Sequence, residues 1–500
     1  MQHDMELQQV IFNIFEMQIR FGMHRYGDSL PTIKEASSYY LASTDTVRLA
    51  YLRLKREGYI SLSTCVGAKV KVAYSDEDIQ RHIQEYYVNR RESLLAFSES
   101  MGFLGHYSLY FALKSASTET LDDLERACMQ KQIPPVYRMS QQIQLLYGPL
   151  GNDLLLNLFW QMFLFFQAPF MSTPWTMEAL NRADSLLLGM IRFTREKDWA
   201  GLWRAGEQSL EQYQTELSRF FRETIPQDTT CKQLDFTWSI YKKTSQICYS
   251  LCMELLMGIC GGVYPEGSFL PSPNQMAEEK QVSLNTVRRT ILLLKKLGAV
   301  QSINGVGTMV LPPFCSTQNC DLTDTTIRSR LSDFLKSIHI LSLSCRACAE
   351  VTIASLADGA VQRWIGQLEW VRQSGRYEGL IYTCLEAISL YAPWPAIRTV
   401  YAELTRQLFW GYPLQTLHGD RVHTNAYFLP YLTALTDCLA HADAAGFSAK
   451  LEELLVSESI CIAEYLTALG IQESASIVIP KKNFDIGADA ETQAKEPQAF

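Results

Sequence analysis

The chain has 500 residues, of which 47% are hydrophobic and 20% charged, with a net charge of −8. That length allows about three to four domains, and the composition is globular and excludes a long disordered tract. Thirteen cysteines, an odd number without framework spacing, exclude a disulfide scaffold; with no basic stretch and apolar run at the N-terminus, they predict a cytoplasmic protein.

From the N-terminus, residues 22–70 form a segment that recurs at 262–310 with a constant offset of 240. Fifteen of its 49 positions are identical, against roughly three for unrelated segments. The matches include Gly27/Gly267, Leu30-Pro31/Leu270-Pro271, Ser43/Ser283, Thr46-Val47-Arg48/Thr286-Val287-Arg288, Gly58/Gly298 and Val66-Gly67/Val306-Gly307. In the first copy Ser43 caps a helix whose inward face is Val47, Tyr51 and Leu54. Gly58 stops that helix, and strands Tyr59–Ser63 and Ala68–Val72 form a hairpin.

Residues 76–230 are helical by periodicity. Leu154–Met171 is long and apolar enough to raise a membrane span, but Asn157, Gln161, Gln167 and Pro169 interrupt it and no Lys or Arg anchors it. Its counterpart in the second half, Arg398–Gln415, carries Arg398, Glu403 and Arg406. Both are expected to be central bundle helices, not spans.

In the second copy an amphipathic helix is predicted over Trp238–Gly261, then a short helix Pro273–Glu279 capped by Ser272. Ser283 caps a third helix with Val287, Ile291 and Leu294 inward. Gly298 ends it after Lys295-Lys296, where cations oppose the helix dipole. Strands Ala299–Ile303 and Thr308–Leu311 follow, joined by Asn304-Gly305-Val306-Gly307. Residues 316–478 are again helical. Leu146-Tyr147-x-Pro149 recurs as Leu390-Tyr391-x-Pro393, and Asp198-x-Ala200-Gly201 as Asp443-x-Ala445-Gly446, so the duplication spans half the chain.

The expected fold is therefore mainly α: two winged helix-turn-helix domains (1–75 and 235–315), each followed by an all-helical bundle domain (76–230 and 316–479), with a disordered tail at 480–500. In a winged helix the third helix enters the DNA major groove and the hairpin reaches the sugar-phosphate wall. Charge agrees in sign: residues 1–75 carry nine Lys/Arg against seven Asp/Glu, and 251–313 carry five against four. The two units are thus +2 and +1, and the remainder sums to −11. Candidate DNA-binding residues are Lys34, Ser43, Thr44, Thr46, Arg48, Gly67 and Lys69 in the first copy. In the second they are Ser283, Asn285, Thr286, Arg288, Arg289, Gly305, Gly307 and Thr308.

The pattern Gly267-x-x-Leu270-Pro271-Ser272, Ser283-x-x-Thr286-Val287-Arg288, Gly298, Gly305-x-Gly307-Thr308-x-Val310 resembles the DNA-binding domain of the GntR family of bacterial transcription regulators. The first copy matches through Leu30-Pro31-Thr32-x-Lys34-Glu35, Ser43-x-x-Thr46-Val47-Arg48, Gly58 and Gly67-x-x-Val70. There are departures: the Arg that the family has after the capping residue is Thr44 or Leu284, the basic residue of the second helix is Lys34 but Asn274, and the first wing is degraded to Cys65-Val66-Gly67-Ala68.

A winged helix followed by a helical domain resembles the FadR-like group, which implies a small-molecule effector and, in many members, an Asp and three His around a metal. That set is not found: the expected His positions hold Leu187 and Leu432. His418 and His423 lie in a loop-like stretch that reads as a solvated loop or, alternatively, a metal site; no metal or cofactor is expected. Cys345-x-x-Cys348 and Cys248/Cys252 read as buried thiols. Aromatics in the helical blocks read as core or as an apolar effector pocket with Arg363, Arg372 or Arg376 for an anionic head.

No catalytic motif is found and the chain is not expected to be an enzyme. The expected function is a sequence-specific, DNA-binding transcription regulator with double-stranded DNA as partner, acting as a monomeric pseudo-dimer on two unlike half-sites or as a homodimer. The alternative is an interaction scaffold whose winged helices have lost DNA binding.

Overall fold

The computed structural model describes residues 2–63, 67–172, 177–225, 232–240, 247–312 and 316–480. Contacts divide the chain into two compact units, one built on residues up to Phe236 and the other on Thr237–Pro393 with Ile397–Lys482. The tail expected at 480–500 lies almost wholly outside the described residues.

The first unit opens with α1 (Gln2–Arg20), α2 (Ile33–Tyr40), α3 (Thr44–Arg56), and the strands β1 (Ile60–Ser63) and β2 (Gly67–Val70). Each start has a local cause. Thr32 and Glu35 form a reciprocal capping box at α2, and the Ser43 hydroxyl accepts from the Thr46 N–H at α3. Val47, Ala50, Tyr51 and Leu54 are buried, which turns one face of α3 onto α1. The strands pair antiparallel from Ile60↔Val70 to Ser63↔Gly67, and Ser29 bridges to Lys69 as a third short edge. Tyr59 and the residues past Val70 lie outside the strands, and the wing-tip residues 64–66 lie outside the described residues.

The helical block of this unit comprises α4 (Asp76–Val88), α5 (Arg91–Lys114), α6 (Thr118–Met129), α7 (Pro135–Tyr147), α8 (Asp153–Met171), α9 (Met177–Glu196) and α10 (Trp199–Thr224). The apolar segment at 154–171 is α8, packed on α1 and α7. Leu155, Leu158, Trp160, Phe163 and Phe166 are buried, so its hydrophobicity serves a core. No described helix is long and apolar enough to cross a membrane. A buried ion pair, Arg138 Nη2 to Asp184 Oδ2 at 2.7 Å, ties α7 to α9, with Gln142 Nε2 donating to the other carboxylate oxygen at 3.0 Å. Lys131 Nζ adds a third contact to Asp184 Oδ2 at 3.2 Å, so both carboxylate oxygens are engaged.

The second unit begins with an extended segment, not a helix. Trp238 and Ile240 are buried at alternate positions, and the Ile240 N–H donates to Glu403. This corrects only the start of the helix expected over Trp238–Gly261: period-two burial marks extended chain at 238–240, residues 241–246 lie outside the described residues, and α11 spans Ile247–Cys260 as expected. Then come α12 (Pro273–Glu279), α13 (Leu284–Lys296), β3 (Val300–Ile303) and β4 (Gly307–Val310). Val300 pairs with Val310 and Phe269 bridges to Met309. Every one of these features stands 240 residues beyond its counterpart in the first unit. The residue that turns the chain after the second helix has a left-handed backbone in both, Leu41 at φ 47° and Gln281 at φ 51°. Gly298 has φ +73°, and a Cβ there would lie 2.5 Å from the Ser316 carbonyl, so no other residue fits that stop.

The helical block of the second unit comprises α14 (Ser316–Asn319), α15 (Thr325–Ala354), α16 (Asp358–Ser374), α17 (Leu380–Tyr391), α18 (Pro395–Gln407), α19 (Arg421–Ala440), α20 (Ala444–Ala468) and α21 (Gln472–Ala475). Its core is the pairing of α15 with α20. The second bundle helix expected over Arg398–Gln415 is broken: α18 stops at Gln407 and a 3-10 turn runs through Leu408–Leu414. Pro413 cannot donate to an α-helical ladder, and a Cβ on Gly411 would meet the Phe334 ring at 2.5 Å. Cys345 and Cys348 are buried on α15, and burial raises both thiols. No cluster of metal-ligating side chains occurs among the described residues.

His339, fully buried on α15, is depressed from 6.5 to about 4 by desolvation. A histidine held neutral by the fold takes up its proton more readily unfolded, so its contribution is complete above pH 6.5 and is lost as pH falls from 6.5 toward 4. Across that window stability is expected to drop by roughly 3 kcal/mol through this one group. Urea unfolding of His339→Gln should show a flatter pH dependence than the parent. Equal slopes for the two proteins would refute the assignment.

Candidate nucleic-acid interface

The exposed face of α13 is Asn285, Arg288, Arg289, Leu292 and Lys295. The helix contains no acidic residue, and among the described residues neither Arg288 nor Arg289 has an ion-pair partner. Both guanidiniums therefore face water with their donors unspent. Ser283 accepts from the Thr286 N–H at 3.1 Å and its hydroxyl lies 2.8 Å from the Thr286 hydroxyl. These two residues set the angle at which the helix begins. The helix dipole makes the N-terminal turn positive, and Arg288 and Arg289 add their charge in the next turn, which suits a phosphate.

The equivalent face of α3 differs. Asp45 stands where α13 has Asn285, and Arg48 Nη1 is held by it at 2.6 Å. Arg289 is replaced by Leu49, which with Leu52 gives α3 two half-exposed apolar side chains. Thr44 and Lys34 are exposed, and Lys69 and Gly67 are exposed on the wing. The first copy thus offers one neutralised guanidinium where the second offers two free ones.

Two expected contacts do not belong to either surface. Thr46 is only 2% exposed and its hydroxyl serves the Ser43 cap, while Thr308 is 8% exposed and the Thr308 carbonyl accepts from the Leu270 N–H. Side chains turned into the core cannot reach a base edge. Gly305 and Gly307 lie at the second wing tip with Asn304 and Val306, all exposed, and Gly307 leaves room for the Phe269 ring, 3.1 Å from where its Cβ would stand.

The two copies also differ in how they are held. In the first unit Tyr39 of α2 stacks on Tyr137 of α7 with centroids 4.9 Å apart. Gln141 Nε2 donates to the Ser38 carbonyl at 3.1 Å, and Tyr137 donates to Gln18 at 3.0 Å. Tyr51 donates to the Pro31 carbonyl at 2.7 Å, and burial raises this phenol. At the positions matching Tyr39 and Tyr40 the second copy has Glu279 and Lys280, both exposed; Ile291 replaces Tyr51. None of this polar anchoring was foreseen, although the tyrosines at 39, 40 and 51 against Glu, Lys and Ile were its visible sign.

The family model "Bacterial regulatory proteins, gntR family" matches residues 251–310, from within α11 to the end of β4. Residues 251–310 are a GntR-type DNA-binding domain. The face carrying Arg288 and Arg289 lies within those matched residues. No curated protein matches the chain in sequence. Similar solved structures include a Streptococcus agalactiae GntR, 17% identical, covering 42% of this chain and 98% of its own at a TM-score of 0.19. A putative transcriptional regulator GntR from Rhodococcus sp. RHA1 is 18% identical, covering 45% and 97% at 0.25. E. coli McbR/YncC is 17% identical, covering 43% and 98% at 0.18. TM-scores this low leave the family match to carry the assignment.

Proposed function

We propose that the chain is a GntR-type transcription regulator, non-enzymatic, in which a whole regulator of winged helix plus helical domain has been duplicated head to tail. The single observation that carries DNA binding is the uncompensated Arg288–Arg289 pair on the exposed face of the recognition helix in the matched domain. It speaks against a scaffold that has lost nucleic acid. Arg288, Arg289 and Asn285 contact the groove, Ser283 and Thr286 fix the entry of the helix, and Gly305 and Gly307 let the wing approach the backbone. In the first copy Lys34, Thr44, Arg48 and Lys69 make weaker contacts oriented by the Ser43 cap, with Gly67 at the wing.

One chain then carries two winged helices, so a monomer acts as a pseudo-dimer. Thr44-Asp45 differs from Leu284-Asn285, and the two half-sites differ accordingly. Selection of genomic fragments by the full-length protein, followed by footprinting, tests this. Two dissimilar half-sites protected by one chain are expected. A perfect palindrome bound by two chains, each using one winged helix, would overturn the pseudo-dimer, and no retention of any fragment at low salt would overturn DNA binding itself.

A further inference from the structure

The helical block of the second unit encloses a cavity of about 480 Å³, within the range of small-molecule sites. Its wall is aromatic, with Phe334, Trp370, Tyr382, Phe409, Tyr412 and Phe428 among the lining residues, and Met257, Cys260 and Gly261 at the end of α11 complete it. Three carboxylates line it, Glu378, Glu386 and Glu458, against a single guanidinium, Arg376, and the imidazole of His418.

That guanidinium is already committed. Arg376 Nη1 donates to the Cys260 carbonyl at 2.6 Å and Nε to Glu378 at 3.4 Å. His418 Nε2 lies 2.8 Å from Glu458, and its ring stacks on Tyr427 at 3.8 Å, so the loop expected at 418–423 has its first histidine inside the fold. Of the other arginines considered for an anionic head, Arg363 turns to Tyr391 and Arg372 to Glu369, and neither lines the cavity. What is unspent is acceptor capacity, in two carbonyl-type oxygens and in two hydroxyls that can also donate. The second oxygen of Glu378, the amide oxygen of Gln415 and the hydroxyls of Thr424 and Tyr412 are buried without a hydrogen-bond partner. Thr424 is 1% and Tyr412 2% exposed. Buried polar atoms are rarely left so unless a ligand answers them.

We propose that this cavity binds an organic cation, a protonated or quaternary amine carried on an apolar body. Ring faces attract an ammonium group, the carboxylates supply the counter-charge, and the orphan oxygens accept any N–H the head carries. An anion would be placed among three carboxylates, with only the Thr424 and Tyr412 hydroxyls left to donate to it. A ligand here touches the end of the first helix of the DNA-binding domain; that it acts as an effector rests on the regulator reading, whereas the binding itself does not.

Titration calorimetry of the full-length protein with benzyltrimethylammonium, benzyl alcohol and phenylacetate tests the charge preference. The cation is expected to bind at least tenfold tighter than either comparator, with a change in the fluorescence of half-exposed Trp370. Glu378→Gln with Glu386→Gln is expected to weaken it at least tenfold in a protein of unchanged circular dichroism. Equal affinities, a preference for phenylacetate, or wild-type affinity in the folded double variant would overturn the proposal; should the variant not fold, the three-ligand comparison on the parent decides it. A protein that binds the cation but no DNA would uphold the site and refute the regulator reading.

Discussion

Arg288→Ala with Arg289→Ala is expected to weaken binding of the full-length protein to its selected DNA by roughly 100- to 1000-fold. Each arginine that contacts a base edge or phosphate contributes about 1–3 kcal/mol, and neither must first be released from a carboxylate. Arg48→Ala is expected to cost several-fold less, because Arg48 gives up its 2.6 Å contact with Asp45 to reach DNA. Asp45→Asn frees that guanidinium and removes a negative charge from the approach, so it should strengthen binding. Anisotropy titrations between 50 and 200 mM salt also read the counterion release. The double variant should lower the salt slope by about one to two, and Arg48→Ala by less than one. Equal losses from the two helices would show that the copies share the work, contrary to the asymmetry of their charges.

The caps and stops of α12 and α13 were legible because their signals are local. Ser272 and Ser283 cap where a hydroxyl three residues ahead of a free N–H must, and Gly298 stops α13 where only glycine fits. The errors arose where tertiary contacts decide. Trp238 and Ile240 belong to an extended segment fixed partly by Glu403, far along the chain. The helix expected through residue 415 yields at Leu408–Leu414, where Gly411 faces the Phe334 ring. In the candidate interface the residue types were visible but their use was not: Arg48 was expected as a DNA contact, whereas it pairs with Asp45 three residues earlier on the same helix. Thr46 looked like a polar contact until its burial placed it inside the cap. The cation cavity had no sequence signature, since its carboxylates at 378, 386 and 458 converge only in the fold.

Tyr137→Ala is expected to destabilise the first unit by about 3–5 kcal/mol, the range for truncating a large buried aromatic. Tyr137 is 1% exposed and sits where three elements meet: it stacks on Tyr39, lies edge-on to Tyr40 with centroids 5.8 Å apart, and contacts Phe15 of α1. Its hydroxyl donates to Gln18, itself fully buried. Tyr137→Phe keeps the rings and strands only that amide oxygen, so about 1–3 kcal/mol should be lost. Glu279→Ala, at the position matching Tyr39 in the second copy, exposed and making no described aromatic stack, should change stability by less than about 0.5 kcal/mol. Urea unfolding followed by circular dichroism separates the three. Because the cavity left by Tyr137→Ala opens between α2 and α7, protection of α2 amides against hydrogen exchange should fall with it, while α12 of the second unit is unaffected. A Tyr137→Ala protein that unfolds at the parent's urea concentration would mean that α2 is held by α3 alone, and that the aromatic junction to the helical block contributes nothing to holding the first winged helix in place.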